Sequence, residues 1–312
     1  MGFNPATDLP ARESELIRVM KEAVDEYLEG TTGAGRAADS IKKDLEGEIT
    51  GIYNSFLDLP DPADFATEVT NLGRALEQLT PYGYNEKQEE GGHPVNHSAN
   101  TTLSSVSSTG DHIQDWTGDA ATAFKDEYGD RFLQVMGSQF NAYYVTRHAI
   151  NAEAAVWQTA REDLDKLSND AIDKMRHVND STKGDWETGL KVFGAVVGIT
   201  AAVATSPISS WAAVGAGVAV ASTGLEVVGK AGETKNETLN NASPGGIVES
   251  LQDALGKIKT EIADNETEIR NAVNGSLRAI HDAPRDFLLK RPALADAPLD
   301  SGIYDKTRLG RP

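Results

Sequence analysis

The side chains best suited to chemistry in this chain do not assemble into a reaction centre. His93 and His97 stand four apart, the spacing at which two imidazoles on one helical face can share a zinc ion. Pro94 lies between them and breaks such a face, so no metal site is expected there. His112, His148, His177 and His281 have no second ligand at useful spacing. Gly224, Gly229 and Lys230 approach a phosphate-binding loop, in which backbone N–H groups cradle phosphate and the lysine reaches it. The next position holds Ala231 where a hydroxyl is needed for magnesium, and nothing upstream reads as the required strand. Gly33 and Gly35 imitate a dinucleotide turn but follow a helical pattern rather than a strand. The many carboxylates fall on polar helix faces and read as solvated surface. No nucleophile with a base and an orienting partner can be built. A non-enzymatic chain is therefore expected, without cofactor or metal.

Composition narrows the choice further. The chain has 312 residues, a formal net charge of −19, 6% aromatic residues and no cysteine. Strong acidity argues against nucleic acid, whose phosphates demand a basic face, and against steady attraction to anionic lipid. Without cysteine there is neither a disulfide framework nor a thiolate-bound metal. The first residues, Met1 to Pro5, show no basic region followed by an apolar core, so a Sec-type signal peptide is not expected.

The elements follow from apolar spacing. From Ala11 to Glu29, Leu16, Met20, Ala23, Val24 and Tyr27 form one helical stripe. A second helix carries Ala37, Ile41, Leu45, Ile49, Ile52, Tyr53 and Phe56, running as far as Leu59-Pro60. Asp61 then reads as an N-cap and Pro62 as the first helical position of a third helix, with Phe65, Val69, Leu72, Leu76 and Leu79 in a heptad-like seam. Residues 82–96 read as a loop. Ala120 to Val178 is largely helix-compatible, with breaks foreseen at Gly129 and Gly137. Its later seam is Ala142, Thr146, Ala149, Val156, Ala160, Leu164, Leu167, Ala171 and Met175. Ser243-Pro244 opens a last long helix on Ile247, Leu251, Leu255, Ile258, Ile262, Ile269, Val273, Leu277 and Ile280, stopped by Pro284.

Between these helices the composition changes abruptly. Val192 to Leu225 contains no charged residue, and Ser206-Pro207 splits it into two arms. As helices the arms would span about 21 Å and about 31 Å, so only the second matches a bilayer core. Gly194 and Gly198 have the small-x-x-x-small spacing that lets helices approach closely, and Pro207, Trp211, Gly215 and Gly217 mark the turn and second arm. Burial as a tight hairpin inside a bundle and membrane contact through residues 192–228 both remain open on sequence grounds.

Residues 116–118 organise the middle of the chain. Leu103, Val106, Gly110 and Ile113 keep one helical face before Trp116, and a helix restarts at Asp119, whose charge suits the positive end of the new helix. Gly118 supplies the backbone freedom of a tight reversal. With Ala120, Ala121 and Phe124, this stretch resembles the W-x-G family of helical-hairpin proteins exported by type VII (ESX) secretion systems, and their longer PPE-type and EspB-like relatives. That resemblance implies a hairpin with Trp116 and Gly118 at its bend, secretion without a Sec signal after a cytoplasmic stage, and partners in the secretion machinery or a helical co-substrate. It also implies a Tyr-x-x-x-Asp/Glu export signal, for which Tyr82 and Glu86 have the spacing, although Pro81 precedes them.

The expected fold is all-α: an elongated bundle of antiparallel helical hairpins, with a hydrophobic Ala/Gly/Val-rich hairpin and no sheet. The expected divisions are 1–96 (three helices and a loop), 97–184 (the W-x-G hairpin with its long second helix), 185–240 (uncharged hairpin and linker), 241–284 (amphipathic helix) and 285–312 (tail). The expected function is association of an exported helical protein as a homo- or hetero-oligomer, with membrane association through the hairpin. An α-helical pore-forming toxin and a cytosolic coiled-coil scaffold are the rival readings.

Overall fold

The computed structural model describes residues 2–29, 34–80, 84–86, 95–98, 100–103, 117–125, 130–178, 186–190, 235–239 and 243–289. Its frame is all-α, as expected. Six α-helices stand among the described residues: α1 Pro5–Tyr27, α2 Ala34–Ile49, α3 Ala66–Leu79, α4 Asp119–Phe124, α5 Asp130–Arg176 and α6 Pro244–Asp282. They fall into two compact units. The first gathers α1, α2, the part of α5 from Ala152 onward and α6 as far as Thr267; the second gathers α3, α4, the earlier part of α5 and the end of α6.

In the first unit, α1 begins well before the expected Ala11. Asn4 caps it by accepting from the Ala6 N–H at 3.1 Å, Pro5 takes the first helical position, and Asp8 accepts from the Asn4 N–H at 2.7 Å. Leu9, Leu16, Val19 and Met20 of α1 are buried with Leu45 and Ile49 of α2 and with Val156, Leu164, Leu167 and Met175 of α5. Ile247, Leu251 and Ile258 of α6 are buried in the same unit, and Gly245 lies so near α2 that an added Cβ would stand 3.8 Å from Leu45. Each such aliphatic side chain contributes about 1.5–3 kcal/mol on burial. Ion pairs from Lys21 to Glu46 and from Lys42 to Asp25 flank the α1–α2 seam.

Helix α2 stops at Ile49, short of the expected end at Leu59-Pro60. Gly51 adopts a φ of 77°, the left-handed conformation that ends helices without a Cβ penalty. A 3₁₀ turn at Asn54–Phe56 then returns Tyr53 and Phe56 to the core, so the apolar pattern continues after the helix has ended. Tyr27 and Ile41, both placed on apolar stripes by their spacing, are instead exposed.

Asp61 and Pro62, at the end of the first unit's opening segment, start the third helical segment as the sequence predicts. Asp61 accepts from the Ala63 N–H at 3.0 Å, but the first turn, Pro62–Phe65, is 3₁₀ and α3 proper starts at Ala66. Only Gly73 and Leu76 of α3 are buried, while Val69, Leu72 and Leu79 are half-covered. Arg147 of α5 reaches Gly73 and donates from Nε to the Val69 carbonyl at 3.3 Å. Helix α5 passes through buried Gly137 without a break. Phe140, Tyr144 and His148 stack along one of its faces, with the Tyr144 and His148 rings 4.1 Å apart, which accounts for His148 as a packing residue.

The expectation of no sheet needs one amendment. Tyr84–Glu86 (β1) pairs antiparallel with Val95–His97 (β2), and Trp186–Leu190 (β3) with Lys235–Leu239 (β4). Each ladder ties together the two ends of an intervening stretch. The uncharged residues 192–225, with Gly194, Gly198, Pro207, Trp211, Gly215 and Gly217, lie outside the described residues.

Candidate functional site

Two places can be built from the residues upward. The first is the turn before α4. Gly118 stands at φ 99°, ψ 172°, a backbone region essentially reserved for glycine. Its carbonyl accepts from the Thr122 N–H at 3.0 Å, which closes the first turn of α4. No side chain caps this end; the cap residue is Gly118 itself and Asp119 is the first helical residue. Ala121 is buried and Phe124 half-buried, so these two side chains serve packing. Ala120 lies within the helix, while Trp116 and the preceding face from Val106 to Ile113 lie outside the described residues.

The Tyr82–Glu86 pair is placed in part. Glu86 belongs to β1, opposite Val95, in what the sequence reads as plain loop; Tyr82 lies outside the described residues. The stretch 81–99 is pinned at its base, where Asn100 donates from its backbone N–H to the Thr80 carbonyl and from Nδ2 to the Gln78 carbonyl, both at 2.9 Å. His97 sits in β2 opposite Tyr84, on a strand. Among the described residues no group of three or more metal-ligating side chains converges.

The second place is a charged cleft of about 470 Å³ in the first unit, where the start of α1 meets the last turns of α5. Sequence reasoning did not single it out. Arg12 donates from Nη1 to the Asp165 carbonyl at 2.7 Å and to Ser168 Oγ at 2.6 Å, and pairs through Nη2 with the Asp165 carboxylate. The Phe3 ring covers the same guanidinium at 4.9 Å, a cation–π contact. Deeper along α1, Glu15 accepts from both nitrogens of the Arg18 fork, at 2.8 and 2.7 Å, and from Arg176. These hydrogen bonds, Arg18 first and Arg176 second, hold its carboxyl down to about 2. Glu15 is thus ionised at any neutral pH and cannot deliver a proton. The cleft is a clamp of paired charges that holds α1 on α5. The signal that finds it is the contrast between long-range partners: Arg12 and Glu15 have one turn between them, and each meets a residue more than a hundred positions away.

Asp163 corrects the picture of uniformly solvated carboxylates: it is 2% exposed, beside Leu164 of the α5 seam. Lys174 is buried on the same helix.

No protein-family model matches this chain, and neither a curated protein nor a solved structure does. Among the described residues no helix is long and apolar enough to cross a membrane.

Proposed function

We propose that this chain is a non-enzymatic helical-bundle protein exported by a type VII route, acting through association with helical partners. The observation that carries the reading is the turn at Gly118. Its φ of 99° followed at once by α4 gives the glycine of the Trp-x-Gly stretch a backbone reason to be glycine, as a helix-to-helix reversal requires. The pinned excursion carrying Glu86 adds support, because it offers a recognition segment that the helical cores do not need. Its partners would be components of the secretion machinery or a helical co-substrate. The test is secretion from the native host with and without an active type VII ATPase. Loss of secretion in the ATPase-deficient strain, and in Tyr82→Ala with unchanged circular dichroism, is the expected result. Retention of the chain in the cytosol of both strains would favour the scaffold reading instead.

A membrane-active role for residues 192–228 is a second reading, favoured by one observation. The β3–β4 ladder pairs Leu190 with Lys235, so the segment 191–234, which contains the uncharged stretch, is entered and left at neighbouring positions. Dye release from liposomes by the unmutated chain at neutral pH tests it. No release at neutral or acidic pH would leave burial as the account of that stretch.

A further inference from the structure

Asn100 is bonded in two directions at once. Helix α3 ends at Leu79, and an α-helix leaves its last four carbonyls without partners of its own. Asn100 Nδ2 donates to one of these, the Gln78 carbonyl, and the Asn100 N–H donates to the Thr80 carbonyl, both at 2.9 Å. Thr80 is 1% exposed, so this side of the clasp rests on a buried residue. On the other side, Asn100 Oδ1 accepts from the Thr102 N–H at 3.1 Å and the Asn100 carbonyl from the Leu103 N–H at 3.0 Å. Asn100 is thereby the N-cap of the helical turn that begins at Thr101. An amide serves both directions because it carries a donor and an acceptor, whereas a carboxylate only accepts.

The clasp closes the stretch 81–99. Within it β1 and β2 form a two-stranded sheet of three residue pairs, Tyr84 with His97, Asn85 with Asn96 and Glu86 with Val95. So short a pair of strands is marginally stable in water by itself. Holding Gln78 and Thr80 against Asn100 meets the cost of closing the loop before the strands pair. We infer that Asn100 is the positioning residue of the export signal, fixing the ladder that carries Glu86 between the end of α3 and the turn at Thr101. This rests on the type VII reading above and adds to it a residue that acts through the ladder. A recognition segment already held in one geometry loses less entropy on binding, so a clasped signal is engaged more tightly than a loose one.

The test uses the full chain with Asn100→Asp and Asn100→Ser. Both keep an oxygen for the Thr102 N–H, and both lose the donor to the Gln78 carbonyl. They are compared with Glu86→Gln by hydrogen exchange, thermal unfolding and secretion from the native host. Loss of one ordinary hydrogen bond corresponds to about a fivefold change. The expected result is amide exchange in β1 and β2 faster by about fivefold in both Asn100 variants, with secretion reduced by a similar factor. Their melting temperatures should match that of the unmutated chain, while Glu86→Gln loses secretion without faster exchange. Unchanged exchange in both Asn100 variants would overturn the inference. So would faster exchange with full secretion while Glu86→Gln is retained, and the export signal would then stand without the clasp. A fall in melting temperature that tracks the fall in secretion would assign Asn100 to stability instead and overturn its positioning role. Full secretion of Glu86→Gln would overturn the signal and the inference together; secretion still dependent on the type VII ATPase would leave the export route standing.

Discussion

Gly118→Ala is the substitution that probes the turn most directly. At φ 99°, ψ 172° an alanine Cβ collides with its own backbone, and holding a residue in such a region costs about 1–3 kcal/mol. Gly118 is exposed, so no packing loss adds to that figure. Alanine also restricts the unfolded chain, which returns about 0.4–1 kcal/mol. The net expectation is a destabilisation of about 1–2 kcal/mol. Urea unfolding followed by circular dichroism measures it, with fluorescence as a second probe because two units need not unfold together. Gly47→Ala serves as the matched control. Gly47 lies inside α2 with nothing within 4 Å of an added Cβ, so that change should stabilise by about 0.5–1 kcal/mol. Asparagine separates the two special glycines further. Gly51, at φ 77°, should tolerate Asn better than Ala, because Asn visits the left-handed region; Gly118 should tolerate neither. A Gly118→Ala variant as stable as the unmutated chain would refute the argument that this backbone demands glycine.

Other outcomes follow from the first unit. Burial pushes the Tyr53 hydroxyl well above the usual tyrosine range, and that hydroxyl has no hydrogen-bond partner among the described residues. Tyr53→Phe should therefore be neutral or stabilising by up to about 1 kcal/mol in the same urea assay. A raised folded-state value means that the unfolded chain loses this proton first. Stability should then be intact below pH of about 10 and fall above it, and Tyr53→Phe should blunt the fall. Glu15, held down to about 2, gives the opposite sign. Its contribution is present above the ordinary glutamate range and lost only as pH falls toward 2, so carboxyl-carbon NMR should show Glu15 titrating last among the glutamates. Arg12→Ala removes the donors to the Asp165 carbonyl and to Ser168 Oγ. With Asp165 41% exposed and screened by solvent, a loss of about 1 kcal/mol is expected from thermal or urea unfolding.

Local signals in the sequence determined much of this protein. The all-helical class, the start of α6 at Ser243-Pro244, its stop at Pro284 and the capping role of Asp61 are legible because each depends on residues within a turn or two of one another. The positive-φ glycine at Gly118 is legible for the same reason: a reversal between two helical patterns needs one residue without a Cβ. The early start of α1 at Asn4-Pro5 was equally local and was passed over because the apolar stripe begins later. What tertiary structure alone decided is which apolar positions are covered. Leu76 and Leu277 occupy equivalent places on their seams, yet Leu76 is buried and Leu277 is 57% exposed, because burial depends on which neighbour reaches that height along the helix. Two glycines show the same division: Gly51 stopped a helix whose apolar pattern ran on, while Gly137, buried inside α5, did not. The Arg12–Asp165 and Glu15–Arg176 pairs belong to tertiary structure, since these partners lie far along the chain, whereas the Glu15–Arg18 pair is local to α1. Periodicity within one helix carries no information about which charged face another helix will bring against it.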